Sequence, residues 1–145
     1  MKIISACLAG INCTYEGKNN SNDFVKRLIE KGEGIVVCPE QLGGLPTPRT
    51  ICQLVGGDGA DVLDGQAKII SKDGIDLTEN FVKGAEEALN LAKLCGASTA
   101  ILKAMSPSCG SGKTASESGL IEGDGVTTAL FKRHGITVTS EEENN

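Results

Sequence analysis

A chain of 145 residues with 39% hydrophobic content, three Phe, one Tyr and no Trp has the length for one domain, with a core built from Val, Ile, Leu and Ala. A formal net charge of -5 leaves no electrostatic footprint for nucleic acid or a membrane surface, and the Glu141-Glu142-Glu143 run reads as a solvated tail. No stretch is long enough for a signal or membrane segment, so a cytoplasmic chain is expected; in that reducing compartment Cys7, Cys13, Cys38, Cys52, Cys95 and Cys109 point to metal binding, catalysis or burial rather than to disulfides.

Residues 2 to 6 read as a short buried strand that ends at Cys7-Leu8-Ala9-Gly10. A polar loop from Ile11 leads to Ser21 or Asn22 as the cap of a helix whose apolar face is Phe24, Val25, Leu28 and Ile29, stopped by Gly32. Ile35-Val36-Val37 is too short for a helix and β-branched enough for a second strand, which delivers Cys38. From Cys38 to Arg49, Pro39, Gly43, Gly44, Pro46 and Pro48 predict a shaped, helix-free loop carrying a thiol, a carboxylate and a guanidinium.

Gly56 to Gly59 is a turn, and Val62-Leu63, Ala67 to Ser71 and Ile75 to Leu77 around Asp73-Gly74 read as a small hairpin insertion. Thr78 caps the longest helix, whose Phe81, Ala85, Ala88, Ala92 and Cys95 share one face and make Cys95 a core residue. Thr99 to Ala104 is a third strand, followed by a polar loop through Ser106-Pro107-Ser108-Cys109 to Asp124. Asp124 caps a helix from Gly125 to about His134, and Ile136 to Thr139 is a fourth strand. The whole predicts an α/β fold: a small open, mostly parallel sheet with flanking helices, right-handed crossovers and a β-hairpin insertion.

Cys7, Cys38 and Cys109 each follow one of those strands, so topology gathers them on the edge where open α/β sheets bind ligands. Three soft thiolates suit zinc, with Cys13 or Cys52 as a fourth ligand, or an iron-sulfur cubane left with one open iron. His134, at a helix C-terminus, reads as a dipole partner rather than a catalytic base. Gly112-Lys113-Thr114 is no phosphate loop, because Pro107 occupies the position of its first glycine, and Asp58, Asp61 and Asp64 lack a calcium-loop pattern. Taken without other information, Glu40 is either a functional carboxylate or a loop residue paired with Arg49, while Ser106 and Ser108 read as turn caps. Lys103 and Lys113 read as solvated.

Ser5-Ala6-Cys7-Leu8-x-Gly10 with Cys13 and Tyr15, Cys38-Pro39-Glu40 through Gly43-Gly44-Leu45-Pro46-Thr47-Pro48-Arg49, and Lys103-x-x-Ser106-Pro107-Ser108-Cys109-Gly110 together resemble the thiouracil desulfidase family over nearly the whole chain. The resemblance implies a [4Fe-4S] cluster on Cys7, Cys38 and Cys109, a catalytic carboxylate at Glu40 and an active-site serine at Ser106. It further implies non-redox conversion of a small thiocarbonyl compound such as 2-thiouracil, C=S to C=O with release of sulfide. Thr14 and Glu16 stand where family members often carry Arg and Asp, and Cys52 stands where a small non-thiol residue is usual. The competing class is a non-catalytic zinc or iron-sulfur module, which would hold the loops together without turnover.

Overall fold

The computed structural model describes residues 1–144. Four strands, β1 (Lys2–Ser5), β2 (Gly34–Val37), β5 (Thr99–Leu102) and β8 (Thr137–Ser140), form a wholly parallel sheet in the order β2-β1-β5-β8. The β1 register sets Ile3 against Ile35 and Ala100, and Ile4 against Val36 and Ile101. Alternation along the strand sends these neighbours to opposite faces. On one face Ile3, Ala100, Leu102 and Val138 pack with Ala88 and Ala92 of α4 (Thr78–Leu94) and Phe131 of α5 (Val126–Arg133). On the other, Ile4 and Ile101 meet Leu8 and Val25, the latter from α1 (Asp23–Glu30). Burial on both faces is why β1, β2 and β5 read as apolar runs, whereas the edge strand β8 alternates.

The expected hairpin insertion is larger than its sequence suggests. It is a second sheet, ordered β4-β3-β6-β7, in which β3 (Cys52–Val55) pairs antiparallel with β4 (Lys68–Ser71) and parallel with β6 (Lys113–Ser116), and β6 forms a hairpin with β7 (Gly119–Glu122). Residues 75–77 contribute one isolated bridge, Ile70 to Asp76, instead of a strand. Val62 and Leu63 lie in a short helix, α3 (Gly59–Leu63), because Asp58 and Asp61 cap it reciprocally, each carboxylate accepting the other's backbone N–H at 3.0 Å. That reciprocal cap is the use of the acidic cluster, while Asp64 accepts two bonds from Arg133.

The long helix joins the two layers, since Phe81 and Ala85 lie in the core under the second sheet and Ala88 and Ala92 in the core of the first. Its N-cap is Leu77; the Thr78 hydroxyl instead accepts from Ile69 N–H. Cys95 is half-buried at the C-cap, packed against the first core. Gly125 is the N-cap of α5, and Asp124 accepts bonds from Gly112 N–H and Lys132 Nζ. Among the described residues no helix is long and apolar enough to cross a membrane.

Candidate active site

The strand order β2-β1-β5 decides what is brought together. Cys7 lies in the 3-10 turn Ala6–Ala9 directly after β1, Cys38 is the residue after β2, and Cys109 lies in the turn that follows β5. Because the three strands are parallel and adjacent, all three thiols reach the same sheet edge, and all three line one cavity of about 490 Å³ with Glu40 and Ser106. Cys13 and Cys52 line it too; Cys95 and His134 do not.

The loop expected to be helix-free begins with one helical turn, α2 (Pro39–Leu42), with Pro39 at its first position, where a missing N–H costs nothing. Cys38 is its N-cap, so the thiol sits at the positive end of that turn. A hydrogen bond from the Cys13 thiol, helped by Gln41 N–H, draws the Cys38 thiol down to about 6 against the opposing effect of burial. The same Cys13 thiol lowers Cys7, aided by the Asn20 side chain, and Cys13 itself is pushed up by these two bonds. Burial pushes Cys109 up to about 12, opposed by a bond with the Ser5 hydroxyl. Burial likewise pushes Cys52 up to about 11.

Glu40 comes from the first turn of α2 and accepts a bond from Arg49 Nε at 3.0 Å. The Arg49 side chain, only 6% exposed, also donates to Cys13 O at 2.8 Å, Thr47 Oγ1 at 3.0 Å and Pro46 O at 3.2 Å. Its backbone N–H adds a bond to Tyr15 O. The pairing of Glu40 with Arg49 is therefore present, and the guanidinium fastens the Cys13 loop to the Cys38 loop. Ser106 Oγ accepts from Cys109 N–H at 2.8 Å, so it caps the turn while bordering the cavity. Ser108 is fully buried against Thr127, outside the cavity.

Two expectations need correction. Lys103 is not solvated: its Nζ donates to Glu141 Oε2 at 2.8 Å, and it borders the cavity. Glu141 is not free in a tail, because its other oxygen accepts from Ala104 N–H at 2.7 Å. The apolar strand Thr99–Leu102 before Lys103 gives no local sign that a distant carboxylate will reach it. Asn20, whose side chain bonds the Cys7 thiol, was likewise unmarked within a polar loop.

The donor set fits a thiolate-held group. Three cysteines border one open volume, and soft thiolates are the donors that zinc and iron-sulfur groups take. The three cysteines come from separate strand ends, and their turns are fixed by backbone hydrogen bonds, Asn20 N–H to Cys7 O and Gly110 N–H to Ser106 O among them.

Comparison with known proteins adds three findings. The 2-thiouracil desulfurase family matches residues 3–143. The protein YbbK of Bacillus subtilis (strain 168), itself uncharacterized, is 45% identical over 148 residues, covering 100% of this chain and 98% of the relative. The solved structure of the [4Fe-4S]-dependent thiouracil desulfidase TudS superimposes with a TM-score of 0.86 at 38% identity, covering 98% of this chain and 91% of that one.

Proposed function

We propose, on the premise that the chain belongs to the 2-thiouracil desulfurase family, that it is a desulfidase which hydrolyses the C=S bond of a small thiocarbonyl compound such as 2-thiouracil, giving C=O and sulfide without net electron transfer. Convergence of Cys7, Cys38, Cys109, Glu40 and Ser106 on one cavity supports this reading above all. Cys7, Cys38 and Cys109 would hold a [4Fe-4S] cluster, which when bound supplies a soft Lewis acid with one iron free of protein ligands. The solved relative carries that dependence in its name.

The chain's own groups do the rest. Glu40 has one oxygen pinned by Arg49, which leaves Oε2 to take a proton from the water that attacks the thiocarbonyl carbon and to return it as sulfide departs. Ser106 Oγ uses a lone pair on Cys109 N–H, so its hydroxyl proton is available to the substrate or to that water. Water adds its oxygen to carbon and its two protons leave with sulfur, so C=S plus water becomes C=O plus hydrogen sulfide and no reductant enters the balance.

Anaerobic purification should yield a brown protein with about four each of iron and acid-labile sulfide per chain. That protein should release sulfide from 2-thiouracil with no electron donor present. Glu40→Gln should lose roughly 10²-fold or more in kcat while keeping its iron. A colourless protein with stoichiometric zinc, or full turnover by Glu40→Gln, would end the respective part of the reading.

A further inference from the structure

Tyr15, Ile51 and Met105 are large apolar side chains left 41%, 39% and 39% exposed, and all three line the cavity that the thiols border. They come from three different segments: the loop after β1, the approach to β3 and the turn after β5. Their backbones are nevertheless fixed, since each carbonyl accepts an N–H from elsewhere: Tyr15 O from Arg49 at 2.8 Å, Ile51 O from Lys72 at 2.9 Å and Met105 O from Ala115 at 2.9 Å. Exposed apolar side chains on pinned backbone mark a contact surface better than exposure on a free loop does.

Met105 carries a second sign. Its φ of +67° makes it the one non-glycine among the described residues in the left-handed region, where Gly or Asn would sit with less strain. A thioether offers no local hydrogen bond to relieve that strain, so its side chain is the reason to look for a use at the cavity.

Charge narrows what the three residues could meet. The two shielded cations lining the cavity already have carboxylates: Arg49 has Glu40 at 3.0 Å and Lys103 has Glu141 at 2.8 Å, while Lys18 is 75% exposed and meets Glu16 only at 3.9 Å. Neither shielded cation is left over for an anionic group, so the inner part of the cavity suits an uncharged ligand.

We propose that Tyr15, Ile51 and Met105 form an apolar collar that grips the face of an uncharged, flat heteroaromatic thioamide ring and so sets specificity against acyclic thiocarbonyl compounds. The collar rests on the desulfidase reading for its substrate, but it acts through the ring and not through the sulfur. Planar rings gain contact with Met and aromatic side chains that an acyclic thioamide cannot reproduce.

Steady-state sulfide release from 2-thiouracil and from thiourea by the iron-loaded wild type and by Tyr15→Ala, Ile51→Ser and Met105→Gly tests this. Each variant should raise KM for 2-thiouracil by about fivefold or more, with kcat, iron content and KM for thiourea changed less than about twofold. Met105→Gly should also keep or raise the thermal midpoint, because it relieves the left-handed strain, so a folding defect cannot account for its KM. Unchanged KM for the ring in all three, or an equal rise for both compounds, overturns the collar. Calorimetric binding of uracil to the same proteins separates the two readings. A wild type that releases no sulfide yet binds uracil through these residues refutes the desulfidase and keeps the collar, whereas binding indifferent to all three substitutions refutes the collar.

Discussion

Glu40 and Arg49 form a nearly buried ion pair, with side chains 19% and 6% exposed, in which the guanidinium also satisfies Pro46 O, Thr47 Oγ1 and Cys13 O. Removing one member of such a pair strands the other charge away from water and, when that member is Arg49, takes the guanidinium's bond from Cys13 O. Arg49→Leu should therefore destabilise the chain by about 3 kcal/mol in denaturant unfolding. Arg49→Lys keeps the charge but lacks the fork, so it should fold and still lose more than about tenfold in turnover as Glu40 loosens. Full activity in Arg49→Lys would show that Glu40 needs no such support. At this scale the sequence was half informative: the residue types on the loop were plain, but whether Arg49 faces substrate or its own loop depends on Cys13 O and Tyr15 O, both contributed by a segment far earlier in the chain. The two serines show the same limit. Ser106 and Ser108 look alike beside Pro107, and only the packing of Thr127 sends Ser108 into the interior.

The placement of α2 depends on two glycines. A Cβ on Gly84 of α4 would overlap the Pro39 carbonyl, and a Cβ on Gly43 would overlap the Asn80 carbonyl, so α2 lies directly on the backbone of α4. Asn80 Nδ2 adds a bond to Gly43 O at 2.9 Å. Cys38 and Glu40 belong to this turn, so its distance from α4 sets their position in the cavity. Gly84→Ala gains helix propensity in α4 yet should lower the thermal midpoint, with overpacking costing about 1–3 kcal/mol, and reduce the iron retained on purification. An unchanged midpoint and iron content would mean that α2 has room to move away. Elements of this kind were legible where burial on both faces produced apolar runs, as in β1, β2 and β5. They were not legible in β6 and β7, whose sequences Lys-Thr-Ala-Ser and Gly-Leu-Ile-Glu are short, half polar and stabilised by pairing with each other. Helix α3 was hidden for another reason: its Asp58 and Asp61 look like a solvated acidic cluster until they are seen capping one another.

For the molecule as a whole, the alternation of strands and helices was enough to predict a parallel sheet and the edge on which Cys7, Cys38 and Cys109 meet. It could not predict the second sheet, because β3 and β6 pair across a long stretch of chain through a single register pair, Leu54 to Ser116. A group bound by three strand ends stabilises the folded state alone, since the unfolded chain does not hold those thiols together. Chelating the iron from the anaerobic protein should accordingly lower its thermal midpoint by several degrees, roughly the shift that a few kcal/mol produces at this size. An equal midpoint with and without iron would mean that the sheet edge holds its shape unaided.

The bonds from Glu141 to Lys103 Nζ and Ala104 N–H have a consequence in time. Synthesis runs from the N-terminus, and every side chain bordering the cavity, from Ser5 to Ala115, leaves the ribosome before Glu141 does. A nascent chain paused just short of that residue owns all its thiols, its carboxylate and its collar, but not the fastening that holds the exit of β5. The last clasp on one wall of the pocket thus arrives after the wall itself, and the site is finished only once Glu141 has followed it out.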